Sequence, residues 1–274
     1  MTRIAAGVAG AILTLLAAAP AMAEDGPRDL CADRPGRGSP PCVLDVGRFQ
    51  VEASFVDFTH DKQAGAVSDT TLYGDLAFRL GVTSTGEAQL AFSPYVQSRQ
   101  KDASGSSHVS GYSDLTFAWR QSLTNPDGSG TSIALQPFVS APVGKSGIGA
   151  GAWQGGIVAP MSFALPPILG VGGFGLAFTP QLAVVRNAAH DGAHLAWTGV
   201  VGLSHPVGPL SLGAELYVNY DDDPAGHTTS ETFDLAASWV PPGLKDTQFD
   251  VGVNAGLNKQ TPDYEVYAGI AHRF

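Results

Sequence analysis

Charge is scarce in this sequence, and basic charge scarcest: 15 Lys and Arg stand against 25 Asp and Glu in 274 residues, a net charge of −10. Nucleic-acid binding needs a basic stripe to neutralise phosphates, so that class is excluded. Cysteine is limited to Cys31 and Cys42, and two thiols without neighbouring His or further Cys make a poor zinc site. Long apolar runs are missing as well. After the first 23 residues, no stretch approaches the roughly 18 to 20 apolar residues with which a helix crosses a bilayer. Yet 44% of the residues are hydrophobic, and some other structure must bury or shield them.

Residues 1–23 have the anatomy of a secretory signal: Arg3, an apolar stretch from Ile4 to Ala19, Pro20, and an A-x-A cleavage site at Ala21-Met22-Ala23. Its removal takes away Arg3 and no acid, leaving 14 basic against 25 acidic residues, or −11. Residues 24–45 are polar and rich in Pro and Gly, and are expected on the periplasmic side as a segment preceding the first strand. Exported thiols usually pair, and the short loop between Cys31 and Cys42 closes readily, so a local disulfide is expected.

From Arg48 onward the dominant period is two, as a strand produces when its faces meet different solvents. In the segment 247–258, Thr247, Phe249, Val251, Val253, Ala255 and Leu257 share one face, and Gln248, Asp250, Gly252, Asn254, Gly256 and Asn258 the other. The pattern recurs about twelve times. Connections after odd strands read as long and polar (HDKQAGAVSD, QKDASGSSHVSG, APVGKSGIGAGA, NAAHDG, DDDPAGHTT), and those after even strands as shorter turns (TSTG, NPDGSG, PVG, PPG). An all-β, antiparallel, up-and-down transmembrane barrel of about twelve strands over residues 46–274 is therefore expected, in the outer membrane with both termini in the periplasm. Closure follows because backbone groups facing lipid find no water, so every strand edge must be paired. The polar faces carry too many charges to fill a dry core, which turns the apolar faces outward.

That choice makes Glu52, Tyr73, Asp75, Arg79, Tyr95, Asp114, Arg120, Glu215, Tyr217, Asp250, Glu265 and Tyr267 candidates to line the lumen. A twelve-strand bore lies between side-chain-filled small barrels and wide porins. Its amphipathic wall suits small hydrophobic or aromatic solutes, and Glu24 to Pro41 is placed to fold into the mouth as a tethered plug. The opposed wall charges could equally pair across the lumen and close it.

Catalytic constellations are thin. His108-Val109-Ser110 is the one His-x-Ser pair, and the phase of Leu115 and Phe117 points both side chains inward, away from lipid. Gly144-Lys145-Ser146 lacks the upstream glycine and following helix of a phosphate loop. Asp221-Asp222-Asp223 reads as a solvated acidic turn or, less favourably, a divalent-cation site against lipopolysaccharide. Neither a catalytic residue nor a cofactor is expected, and a lipid-active enzyme ranks behind a channel and a structural or adhesive barrel.

The final strand, DYEVYAGIAHRF, ends in Phe274 with Ile270, Ala268, Val266 and Tyr264 in phase. It resembles the terminal signal read by the outer-membrane assembly machinery, with His272 where a bulkier apolar residue is usual. The blocks GYSDLTFAWRQSL (111–123) and APVGKSGIGAGAWQGGIVAP (141–160) resemble the outer-membrane transporter family labelled as a meta-pathway phenol-degradation protein. The match rests on Gly111 and Asp114 and on Pro142, Gly144 and the glycines before Trp153, with Ser113 departing from a common glycine. The resemblance implies a transporter-like pore linked to aromatic catabolism, and the barrel reading itself gives outer-membrane lipid and lipopolysaccharide as partners.

Overall fold

The computed structural model describes residues 27–63 and 65–274; the expected signal segment lies outside them. All regular structure among the described residues is β, in sixteen hydrogen-bonded segments. Four consecutive pairs of segments continue one another across breaks of two or three residues, which leaves twelve strands. In chain order they are β1 (Phe49–Gln63), β2 (Ala66–Tyr73 and Leu76–Thr83), β3 (Gly86–Phe92 and Tyr95–Asp102) and β4 (Gly105–Gly111 and Leu115–Thr124). There follow β5 (Thr131–Ala141), β6 (Gln154–Val158 and Met161–Ala164), β7 (Gly175–Arg186) and β8 (Ala193–Val207). The last four are β9 (Leu210–Asp221), β10 (Thr228–Trp239), β11 (Thr247–Gly256) and β12 (Tyr264–Arg273).

Each strand pairs antiparallel with its neighbours, and β12 closes on β1 from Gln50↔Arg273 to His60↔Tyr264. Among the described residues no strand edge remains open, as hydrocarbon requires. The burial pattern is that of a soluble domain turned inside out. Leu216, Val251 and Leu80 are exposed, whereas Arg79, Arg120, Glu52, Glu87 and Asp234 are almost wholly buried. Apolar side chains in alternating positions therefore form the outer surface, and the polar positions between them face the bore.

Alternation slips at one level of the wall formed by β1–β4. β1 bulges between Ser54 and Val56, β2 breaks at Gly74 with φ +67°, β3 breaks at Ser93-Pro94, and β4 breaks over 112–114. Shifting the phase by one residue exchanges the two faces. Above the slip Leu72 and Val96 are paired and turn inward, and Tyr73 and Tyr95 turn outward, where their rings lie 5.9 Å apart. Both tyrosines are 45% exposed and do not line the lumen. The same reversal pairs outward His108 with Arg99, and outward Ser110 with Gln97, so the inward placement expected for that His-x-Ser pair is corrected. Two connections expected to be long loops are strand instead: β1 and β2 pair as far as Gln63↔Ala66, and β3 and β4 as far as Asp102↔Gly105.

Candidate functional site: a barrel lumen threaded by the N-terminal segment

Residues 28–44 run inside the barrel without regular secondary structure. The segment enters at the end carrying the C-terminus, where Arg273 Nη1 donates to the carbonyls of Arg28 (2.8 Å) and Asp29 (3.1 Å). It rises to a tip at Arg34–Ser39 and returns to Val43 and Leu44, each 1% exposed, before β1 begins. Cys31 and Cys42 are joined by a disulfide across its base. Prolines and glycines suit this path, because a chain that forms no ladder inside a narrow bore needs few backbone donors and tight bends.

On the β1–β4 side, wall arginines hold the segment. Arg79, completely buried, lies 2.8 Å from Glu87 and 3.0 Å from Glu52, and donates to the Cys31 carbonyl at 2.6 Å. Arg120 makes a forked pair with Asp33 (2.8 and 3.0 Å) and donates to Gln136 and to the Cys42 carbonyl. Glu52 accepts the backbone N–H groups of Asp33 and Arg34, each at 3.0 Å, and Glu87 accepts that of Leu44 at 2.9 Å. Charges this deep persist only when every partner is present.

The opposite wall, β9–β12, is acidic. Glu215 accepts the Arg37 N–H at 2.7 Å. The Arg37 guanidinium pairs with Glu265, lies 3.6 Å from Asp234, and stacks 4.7 Å from the Tyr217 ring centre. Arg34 donates to Asp250 (2.8 and 3.2 Å) and to Ser54 Oγ (2.7 Å), and sits 5.6 Å from the Tyr267 ring, whose hydroxyl accepts the Gly36 N–H.

The tip divides the remaining space in two. A cavity of about 340 Å³ lies below it, among Ala177, Gly202, Gly213 and Ala236; one of about 330 Å³ lies above it, among Ala91, Ala118, Phe138 and Thr198. Asp33 and Ser39 border both.

Of the twelve lumen candidates, nine are gathered here. Glu52, Arg79, Arg120, Glu215, Tyr217, Asp250, Glu265 and Tyr267 touch the segment or its partners, and Asp75 accepts from Ser93 Oγ at the level of the phase slip. Tyr73 and Tyr95 face out. Asp114 accepts the N–H groups of Gly144 (2.8 Å) and Ala150 (2.7 Å) and so anchors the loop after β5 instead of presenting its carboxylate to the bore. A Cβ at Gly144 or Gly149 would come within 2.7 or 2.4 Å of that carboxylate, which accounts for glycine at these two positions. Asp33, Arg34, Arg37, Glu87 and Asp57 also belong to the interior and are not among the residues the sequence reading names. Three charges within five residues of a Pro/Gly stretch were the available signal. At the terminus, the Phe274 N–H donates to the Phe49 carbonyl at 2.7 Å, and His272 bonds Thr247 Oγ1 at 2.8 Å.

Closed antiparallel strands, an apolar exterior and a polar bore define an outer-membrane β-barrel. The fold is similar to that of an outer membrane channel from Pseudomonas putida F1, with TM-score 0.63 at 13% identity over 88% of this chain and 99% of that one. The NanC porin (TM-score 0.49, 6% identity, 82% and 98% covered) and the β domain of the Bordetella autotransporter BrkA (0.49, 12%, 83% and 99%) are less similar. No curated protein matches. The chain belongs to the family described as "Putative MetA-pathway of phenol degradation", whose model matches residues 32–274.

Proposed function

We propose that the protein is a passive outer-membrane channel for small hydrophobic or aromatic compounds, with residues 28–44 as its tethered plug. The observation that carries this reading is the pair of cavities on either side of the plug tip, walled by small and apolar side chains interspersed with polar and acidic ones, in a bore where a single segment is the partition. The family's link to phenol degradation agrees in solute class. His108 Nε2 faces Gln97 at 3.0 Å, and among the described residues no hydrogen bond joins it to Ser110. In planar bilayers, deletion of residues 28–41 is expected to turn rare, small current steps into frequent, larger ones. Silence from both proteins would defeat the channel reading.

A structural or adhesive barrel is the second reading, favoured by the complete pairing of Arg79 and Arg120 with wall and plug. Flux of a neutral phenol into liposomes separates the two. Unchanged phospholipid and lipid A after incubation would remove a lipid-active enzyme.

A further inference from the structure

Four strands of the wall carry an arrangement that sheet stability does not call for. On the lumen face, Glu215 is the direct cross-strand partner of Asp234, Asp234 of Asn254, and Asn254 of Glu265, one continuous row across β9–β12. Like charges directly opposite each other destabilise a sheet. Between Leu210 and His272 the only Lys and Arg are Lys245 and Lys259, both in connections between strands. Compensation comes from Arg37 of the plug, which lies on the Tyr217 ring, pairs with Glu265 and approaches Asp234. It is incomplete: Asp234 is 1% exposed, and neither of its carboxylate oxygens has a hydrogen-bond partner. The cavity below the tip borders this row. Its lining residues include Asp29, Asp33, Asp127, Glu215 and Asp234 and no Lys or Arg.

An aromatic face beside convergent carboxylates in a desolvated wall is the chemistry that holds organic cations. We infer that Glu215, Asp234, Glu265 and Tyr217, with the adjoining cavity, form a binding site for small organic cations, an ammonium or amidinium group on an aromatic frame, and that Arg37 is its resident occupant. A guanidinium stacked on Tyr217 and paired with Glu265 is a side-chain replica of such a solute. The inference deepens the channel reading by naming a charge class; solute access rests on that reading, and binding does not.

The test is titration calorimetry on the whole mature chain in detergent, with benzamidine as probe and benzyl alcohol and benzoate as neutral and anionic counterparts. Benzamidine is expected to bind, with affinity falling as salt rises, and the other two are expected not to. Arg37→Ala should tighten benzamidine about tenfold by vacating the site, and Asp234→Asn or Glu215→Gln should weaken it about tenfold, each equal to about 1.4 kcal/mol. Equal binding of benzyl alcohol or benzoate to the wild-type chain, or indifference to both carboxylate substitutions in folded protein, overturns the site. The wild-type comparison needs no variant to fold. Benzamidine binding without bilayer current would sink the channel and leave the site standing; current without carboxylate-dependent binding would do the reverse.

Discussion

The two sides of the bore balance their charges differently. Around β1–β4 the cations belong to the wall: Arg79 is held between Glu52 and Glu87, and would keep both if the N-terminal segment left. Around β9–β12 the wall supplies anions, and the segment supplies Arg34 and Arg37. One side is a brace that keeps the closest ion pairs of Arg79 within the wall, and Arg120 there takes its closest carboxylate, Asp33, from the segment. The other is complete only with the plug in place, so the same segment that fills the bore also sets the bore's charge.

The difference can be broken most severely at the brace. Arg79→Met leaves Glu52 and Glu87 buried without their cation, a loss of about 3–5 kcal/mol. Unheated gel mobility should show a large drop in folded barrel, and normal folded yield would mean that the brace is dispensable. Next, the double substitution Arg34→Ala, Arg37→Ala should spare folding but expose the acidic row. Bilayer reversal potentials under a salt gradient should then move toward the cation limit, and an unchanged potential would show that the row does not face the ion path. A smaller effect is expected from Cys31→Ser with Cys42→Ser, which frees the base of the segment while leaving the arginine contacts to hold the tip. More frequent brief openings at unchanged step size should appear, whereas the arginine pair should change selectivity.

The smallest effect lies outside the membrane-spanning strands, in the turn after β10. Hydrogen bonding from Arg273, helped by its charge, holds the Asp246 carboxyl below the usual aspartate range. A carboxyl lowered in the folded state adds stability above its ordinary pKa and loses it as the pH falls through the lowered value. Asp246→Asn should therefore slightly lower thermal stability at pH 7 and leave it unchanged in strong acid, by melting curves at the two pH values.

Much of this fold was legible in the sequence because lipid outside and water inside impose an unbroken period of two. Segment 247–256 shows it directly, and twelve repeats with a paired last strand follow from the same rule. Phase was lost where a residue was added to the period. Gly74 and Pro94 turn Tyr73 and Tyr95 outward although every apolar residue below them predicts the opposite. Strand extent was lost for a related reason: the 60–69 and 100–111 segments are polar on both faces, so alternation does not mark them as strand. The wall side of the candidate site was visible as charges at inward positions. Its other half was not, because Arg34 and Arg37 lie on a chain without periodicity, and only folding brings them to Asp250 and Glu265.

The plug is covalently continuous with β1 and looped upon itself at Cys31 and Cys42. Its tip therefore returns to the lumen by an intramolecular step, at an effective concentration of roughly millimolar set by the tether. Occlusion is thus independent of how many copies the membrane holds, and under the proposed channel reading a solute would have to outcompete that fixed local concentration to displace the tip.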